Sequence, residues 1–206
     1  DAGPRYSLES DAGHRVLVPL LRALAERADT VVLSHRDSDH TGGARAVLAA
    51  QPQAAVRSSI EDGHELRAQR LATRCQAGQQ WQWDGVAFEL LHPEAADYAR
   101  GLKSNALSCV LRVRAAGGAS ALLAGDIEQA QEQALAARTP ELRADLLLAP
   151  HHGSRGSSSS ALLAAVRPRW VLGQAGYRNR FGHPAPEALA RYAAVGAEPV
   201  ASPRCR

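Results

Sequence analysis

Ser34-His35-Arg36-Asp37-Ser38-Asp39-His40-Thr41-Gly42-Gly43, directly after the apolar run Thr30-Val31-Val32-Leu33, is the stretch from which the rest of the chain is read. Four potential ligands, His35, Asp37, Asp39 and His40, fall within six positions at the end of an expected buried strand. A short loop can fold such a set around one or two cations. Alternate positions of an extended segment point the same way, so His35, Asp37 and Asp39 are expected to converge while His40 turns to the other side. In a two-metal pocket His35 and Asp37 hold one ion, Asp39 and His40 the other. Gly42-Gly43 lets the backbone enter the next helix close against the site. The bland alternative is an Asp- and His-rich turn with no metal.

Four more segments extend the pattern along the chain: Asp1-Ala2-Gly3; Leu122-Leu123-Ala124-Gly125-Asp126; Leu146 to Ser154, ending Pro150-His151-His152-Gly153-Ser154; and Asn179-Arg180-Phe181-Gly182-His183-Pro184. Each is weak alone, and their order, with apolar runs before the ligands, is the stronger signal. Together with HxDxDH they resemble the metallo-β-lactamase superfamily, and within it the hydrolase domain of the ComEC family of competence DNA-uptake proteins. The resemblance implies an α+β fold, an αββα sandwich. It implies that Asp1 ends an early strand and braces the metal loop, that Asp126 bridges two metals, and that the His151-His152 pair supplies the last ligand. His151 is preferred as that ligand, with His152 in the outer shell or acting as an acid; the reverse assignment stays open.

Two departures matter. The superfamily's usual motif is HxHxDH, and Asp37 replaces its second imidazole by a carboxylate. The harder, more anionic site moves the expected pair of divalent ions toward Mn²⁺, with Zn²⁺ or Mg²⁺ as alternatives. Where a typical member has a third-motif histidine, this chain reads Lys103-Ser104-Asn105-Ala106-Leu107-Ser108. That matches the Ser-Asn-x-x-Ser of the ComEC-like branch, which implies substrate contacts from Asn105 and Ser108. His92, in Leu91-His92-Pro93, is the nearest spare imidazole, and a His-Pro after a strand is expected to be a turn.

Composition describes an ordinary globular chain: 206 residues, 45% hydrophobic and 22% charged, enough for a sizeable core. No segment approaches the ~20 apolar residues of a membrane span. The start at Asp1 reads as a single domain excised from a larger, membrane-embedded parent and lacking one or two N-terminal strands. Of the 24 basic residues all but Lys103 are arginine, which codon usage in a GC-rich genome explains, and the net charge of +3 is a modest hint of nucleic-acid binding. Cys75, Cys109 and Cys205 show no CxxC spacing, so neither a zinc knuckle nor a disulfide framework follows. Cys109 is expected to pack as a small core residue, and a Cys75–Cys205 bridge stays open.

Periodicity places helices over Val16–Ala28, Ala44–Ala50, Ile127–Arg138, Ser159–Val166 and Ala185–Val195. Strands are expected at Val31–Ser34, Ala54–Ser58, Asp145–Ala149, Trp170–Gln174 and Glu198–Ala201. Asp84-Gly85 joins Gln80–Trp83 to Val86–Leu91 as a hairpin, and Gly117-Gly118 joins Leu107–Ala115 to Ala119–Ala124.

The cluster argues for hydrolysis. Two divalent ions with carboxylates Asp37, Asp39 and Asp126 keep a residual charge of about +1, enough to bind a phosphodiester oxygen and acidify a water toward pKa ~7. His152 or His183 supplies the leaving oxygen with its proton. Ser154, Arg155, Arg180 and His183 form the expected phosphate-binding rim, with Arg155 equally readable as a solvated loop charge. His14 and His64 are read as exposed or structural. DNA as substrate, one strand of it degraded during uptake, and the membrane channel portion of the same polypeptide as partner, come from the resemblance; the parent would sit in the bacterial inner membrane. With aromatic residues only 4% of the chain, no long stacking platform is evident, and backbone contacts to a single strand or duplex are expected to dominate. A small-molecule ester, lactam or thioester hydrolase and a catalytically silent DNA-binding module are the alternatives.

Overall fold

Thr30–Leu33 is a strand because three of its four residues are β-branched and alternate ones fill the core: Val31 and Leu33 are buried while Thr30 and Val32 are half-buried. The computed structural model describes residues 1–202, which divide into two compact units, Asp1–Cys75 and from Gln76 onward. The mixture of parallel and antiparallel strands with helices is the expected α+β class. No helix among the described residues is long and apolar enough to cross a membrane.

In the first unit, strands β1 (Arg5–Ser7) and β2 (Ser10–Asp11) pair antiparallel. A π-helical turn at Gly13–Leu17 leads into helix α1 (Val18–Ala23), shorter at both ends than the 16–28 expected. Pro19 sits in its first turn, where no N–H is needed. Strand β3 (Thr30–Leu33), helix α2 (Ser38–Thr41), helix α3 (Ala44–Ala50) and strand β4 (Ala55–Ser58) follow. Helix α4 (Glu65–Gln69) and strand β5 (Thr73–Arg74) complete the unit; neither is expected from periodicity, each being too short to show a period. β3, β4 and β5 form a parallel sheet whose core joins Val31, Leu33 and Val56 to Val18, Val47 and Leu48.

The unit from Gln76 is built on a seven-stranded sheet. Strands β6 (Gln80–Trp83) and β7 (Val86–His92) form the Asp84-Gly85 hairpin, and β8 (Val110–Arg114) and β9 (Ser120–Leu123) the second. Helix α5 (Gln129–Arg138), strand β10 (Leu146–Leu148), helix α6 (Ser160–Val166), strand β11 (Trp170–Gly173), helix α7 (Pro186–Ala194) and strand β12 (Glu198–Ala201) follow, with β9 to β12 all parallel. Leu122, Leu147 and Val171 of the sheet pack with Leu135, Leu162, Leu163 and Tyr192 of the helices. β8 starts three residues later than expected, because Asn105–Leu107 winds into a 3-10 turn.

Cys75 and Cys109 are each buried and disulfide-bonded. Cys109 is the small core residue expected, but it is disulfide-bonded, which wide spacing without a pairing signature does not announce. The Cys75–Cys205 alternative falls on Cys205, outside the described residues.

Candidate metal-binding and hydrolytic residues

In the first unit β3 delivers Ser34 and His35 to the end of the parallel sheet, and the chain turns at once into α2. His35 is 1% exposed and His40 5% exposed, so both imidazoles are interior groups that need polar partners. Asp1 and Ser34 provide them. The Asp1 carboxylate accepts the Ser34 backbone N–H at 2.7 Å and the Ser34 hydroxyl at 3.0 Å, and lies 3.0 Å from His40 Nδ1. Ser34 Oγ stands 3.0 Å from His35 Nδ1. With both Nδ1 edges held, the Nε2 edges face the carboxylates: His35 Nε2 is 3.6 Å from Asp37 Oδ2, and His40 Nε2 3.7 Å from Asp39 Oδ2. Buried imidazoles oriented through Nδ1 beside half-exposed carboxylates are a donor set that fits a divalent cation. Asp39 and His40 offer ligand atoms within 4.8 Å of one another.

His35 thus lies beside Asp37 and His40 beside Asp39, on a backbone that differs from the extended loop expected. Ser38–Thr41 is a helical turn rather than an extended loop, with the Asp37 carbonyl accepting the His40 and Thr41 N–H groups at 3.0 Å each. His40 therefore turns back, and its ring centroid lies 4.2 Å from that of His35. The glycine pair is needed for close approach: a Cβ on Gly42 would stand 2.1 Å from Arg5 N, and one on Gly43 2.3 Å from Gly13 N.

In the second unit Asp126 follows β9 through Gly125, whose φ of +55° glycine tolerates without cost. Its carboxylate is 4% exposed and its backbone N–H donates to Ser108 Oγ at 3.0 Å. Ser108 is itself fully buried, so the hydroxyl expected to meet substrate positions Asp126. After β10, His151, His152 and Gly153 all adopt positive φ (48°, 56° and 77°). Two consecutive left-handed non-glycine residues are rare and store backbone strain of the kind found at functional sites. Both rings aim at Asp126, with Nε2 to Oδ2 distances of 3.8 Å for His151 and 3.6 Å for His152. Asp126 and His152 offer ligand atoms within 4.8 Å of one another.

His183 joins them from the loop before α7, its ring 6.1 Å from His151 and 6.4 Å from His152. Burial, then the neighbouring His151 and His152, holds its imidazole below the usual histidine range. Asn179 fixes this loop: its Oδ1 accepts the His183 N–H at 2.9 Å, and its Nδ2 donates to the His183 carbonyl at 2.7 Å and the Gly176 carbonyl at 3.1 Å. The two histidine loops meet where Ala185 N–H donates to the Gly153 carbonyl at 2.8 Å.

Ser154 is half-buried and donates its N–H to the His151 carbonyl. Asn105 is half-buried in its 3-10 turn, and Arg180 is exposed over Phe181. Arg155 pairs with Glu187 at 3.0 Å. His92 is interior, its Nε2 bonded to the Ala106 carbonyl at 2.8 Å and its Nδ1 facing the Arg138 guanidinium at 3.2 Å, so both ring nitrogens are engaged in a structural turn. His14 pairs with Asp11 on the surface, and His64 caps α4. Sequence reasoning names the Asn-x-x-Gly-His-Pro segment but not Asn179 as its clamp; the Asn preceding a Gly-His-Pro turn is the available signal. It also omits Ser34, whose only mark is its place before His35.

A family model described as the metallo-β-lactamase superfamily matches residues 8–169. Competence protein ComA of Neisseria gonorrhoeae is 40% identical over 170 residues, 82% of this chain and 23% of its own length. Recombination protein 2 of Haemophilus influenzae is 34% identical over 168 residues, 82% of this chain and 20% of its own. The chain thus spans about a quarter of these relatives or less. Among solved structures, a CmlA β-hydroxylase variant superposes with a TM-score of 0.56 at 13% identity, covering 85% of this chain and 43% of that one, which shows a shared fold alone.

Proposed function

The chain belongs to the metallo-β-lactamase superfamily, and from that membership we propose a metal-dependent phosphodiesterase that degrades one strand of DNA during uptake. The observation that carries the hydrolase reading is the pair of donor sets: His35, Asp37, Asp39 and His40 in the first unit, Asp126 with His151 and His152 in the second. The proposal assigns both sets to metal-dependent hydrolysis with two divalent ions, Mn²⁺ favoured by the carboxylate at Asp37. Between the adjacent histidines it now favours His152 as ligand, since its ligand atom is the one that converges with Asp126.

When bound, the ions polarise the phosphoryl oxygen and acidify a water. The chain's own residues do the rest. Ser34 and Asp1 orient the imidazoles of the first set; Ser108 orients Asp126; Asn179 holds the His183 loop. His183, or whichever of His151 and His152 is not a ligand, exchanges the proton at the leaving oxygen. Arg180 and Ser154 meet the phosphate, and Asn105 the substrate or its water.

DNA as substrate is supported by the relatives named for competence and recombination. On the same ground the parent protein is proposed to lie in the bacterial inner membrane, with its channel portion in the same polypeptide. The test compares labelled single- and double-stranded DNA with chromogenic ester and lactam substrates, each with Mn²⁺, Mg²⁺ or Zn²⁺ and with EDTA. Cutting of DNA alone, abolished by EDTA, supports the proposal. Turnover of the chromogenic substrates with intact DNA assigns a small-molecule hydrolase, and DNA binding without metal uptake or cutting assigns a silent module.

A further inference from the structure

Tyr177-Arg178-Asn179-Arg180-Phe181 alternates aromatic and cationic residues around the Asn179 clamp, directly before His183. Large aromatic rings in a solvated loop run against the usual economy of burial, and these two are 74% and 66% exposed. The Arg178 guanidinium lies 5.3 Å from the Tyr177 ring and that of Arg180 4.8 Å from the Phe181 ring. Neither guanidinium pairs with a described carboxylate, so both charges stay available at the rings. Phe181 also stacks on His183 at 5.6 Å and 24°, and His183 on His152 at 6.4 Å and 22°. Three near-parallel rings thus run from open solvent to a proposed metal ligand.

We infer that Tyr177 and Phe181 form a base-stacking platform for single-stranded nucleic acid, which Arg178 and Arg180 complete by engaging phosphates and which leads the strand toward His183 and His152. This inference rests on the phosphodiesterase reading and adds strandedness to it. Bases offer π-faces only when unpaired, and they stack on aromatic rings and on guanidinium planes alike. A backbone that must reach His152 as an anion fits two cations on the same loop. An apolar protein or lipid partner would gain from the rings but nothing from the arginines.

The test measures binding by the 206-residue chain in EDTA, which prevents cutting, to a labelled oligothymidine, an abasic strand of equal length and a duplex. The parent should bind the oligothymidine roughly tenfold or more tighter than the abasic strand. Tyr177→Ala and Phe181→Ala should each weaken oligothymidine binding by about tenfold while leaving the abasic strand unchanged, and Phe181→Trp should restore it. Arg180→Ala should weaken both strands and flatten the salt dependence. Equal affinity for both strands, or aromatic variants that bind as the parent does, overturns the platform. If the parent still cuts DNA with added metal in that case, the phosphodiesterase reading stands alone. A folded parent that takes up metal but neither binds nor cuts any DNA overturns both.

Discussion

Glu132, on α5, is 0% exposed, and its two carboxylate oxygens accept the backbone N–H groups of Ser158 at 2.6 Å and Ser159 at 2.5 Å. Those serines close the loop that begins at His151, and Ser159 caps α6 through the Leu162 N–H. Arg191 grips the same loop from α7 through the carbonyls of Arg155, Ser157 and Ser158. Replacing Glu132 by Ala withdraws the acceptor from two buried N–H groups at ~1–3 kcal/mol each, for a loss of about 2–6 kcal/mol. Glu132→Gln keeps one acceptor and turns an amide toward the other N–H, for a loss of about 1–3 kcal/mol. The assay is urea unfolding followed by tryptophan fluorescence. All three tryptophans, Trp81, Trp83 and Trp170, lie in the unit that contains Glu132, so the signal reports on that unit alone. The expected order of midpoints is parent, Gln, Ala, at a constant slope. An Ala variant within about 0.5 kcal/mol of the parent would refute the claim that Glu132 holds the loop.

Gly43→Ala should cost about 3 kcal/mol or more, because its Cβ would meet backbone atoms of Gly13 that cannot rotate away, and a thermal melt checks it. Ser34→Ala removes the hydroxyl that orients His35 and Asn179→Ala frees the His183 loop; Ser34→Ala should weaken Mn²⁺ binding by ~10–100-fold in a metal titration, and Asn179→Ala should lower turnover with little change in metal affinity. Asp145 accepts the Ser120 hydroxyl and N–H, which hold its carboxyl below the usual 3.8. The stabilisation is therefore present above that value and lost as pH falls through the lowered one. Asp145→Asn should be less stable than the parent at neutral pH and should converge with it in acid unfolding midpoints.

Much of the scaffold is legible because it is local. Ala44–Ala50 and Gln80–Trp83 match their expected bounds, since a helix flanked by glycine and a hairpin turning on Asp84-Gly85 are decided within a few residues. The His35-to-His40 cluster is legible for the same reason. What local pattern misses is the second layer. Nothing near Glu132 announces Ser158, and nothing at Ser108 announces that its hydroxyl meets the Asp126 N–H, because both depend on how distant segments are brought together by the sheet. The expected reversal of His40 fails where a helical turn replaces extended backbone: the alternation rule holds only for strands. Tyr177 and Phe181 escape notice because a low aromatic content of 4% says nothing of where the few rings stand.

The most direct test of the central claim is the rate of DNA cutting against Mn²⁺ concentration for the parent, Asp39→Ala and Asp126→Ala, one variant from each donor set. The account predicts saturable, metal-dependent cutting by the parent and at least a ~100-fold loss in each variant, as removal of a group acting within a metal centre requires. Parental rates in either variant would contradict the assignment of that variant's donor set to the hydrolysis.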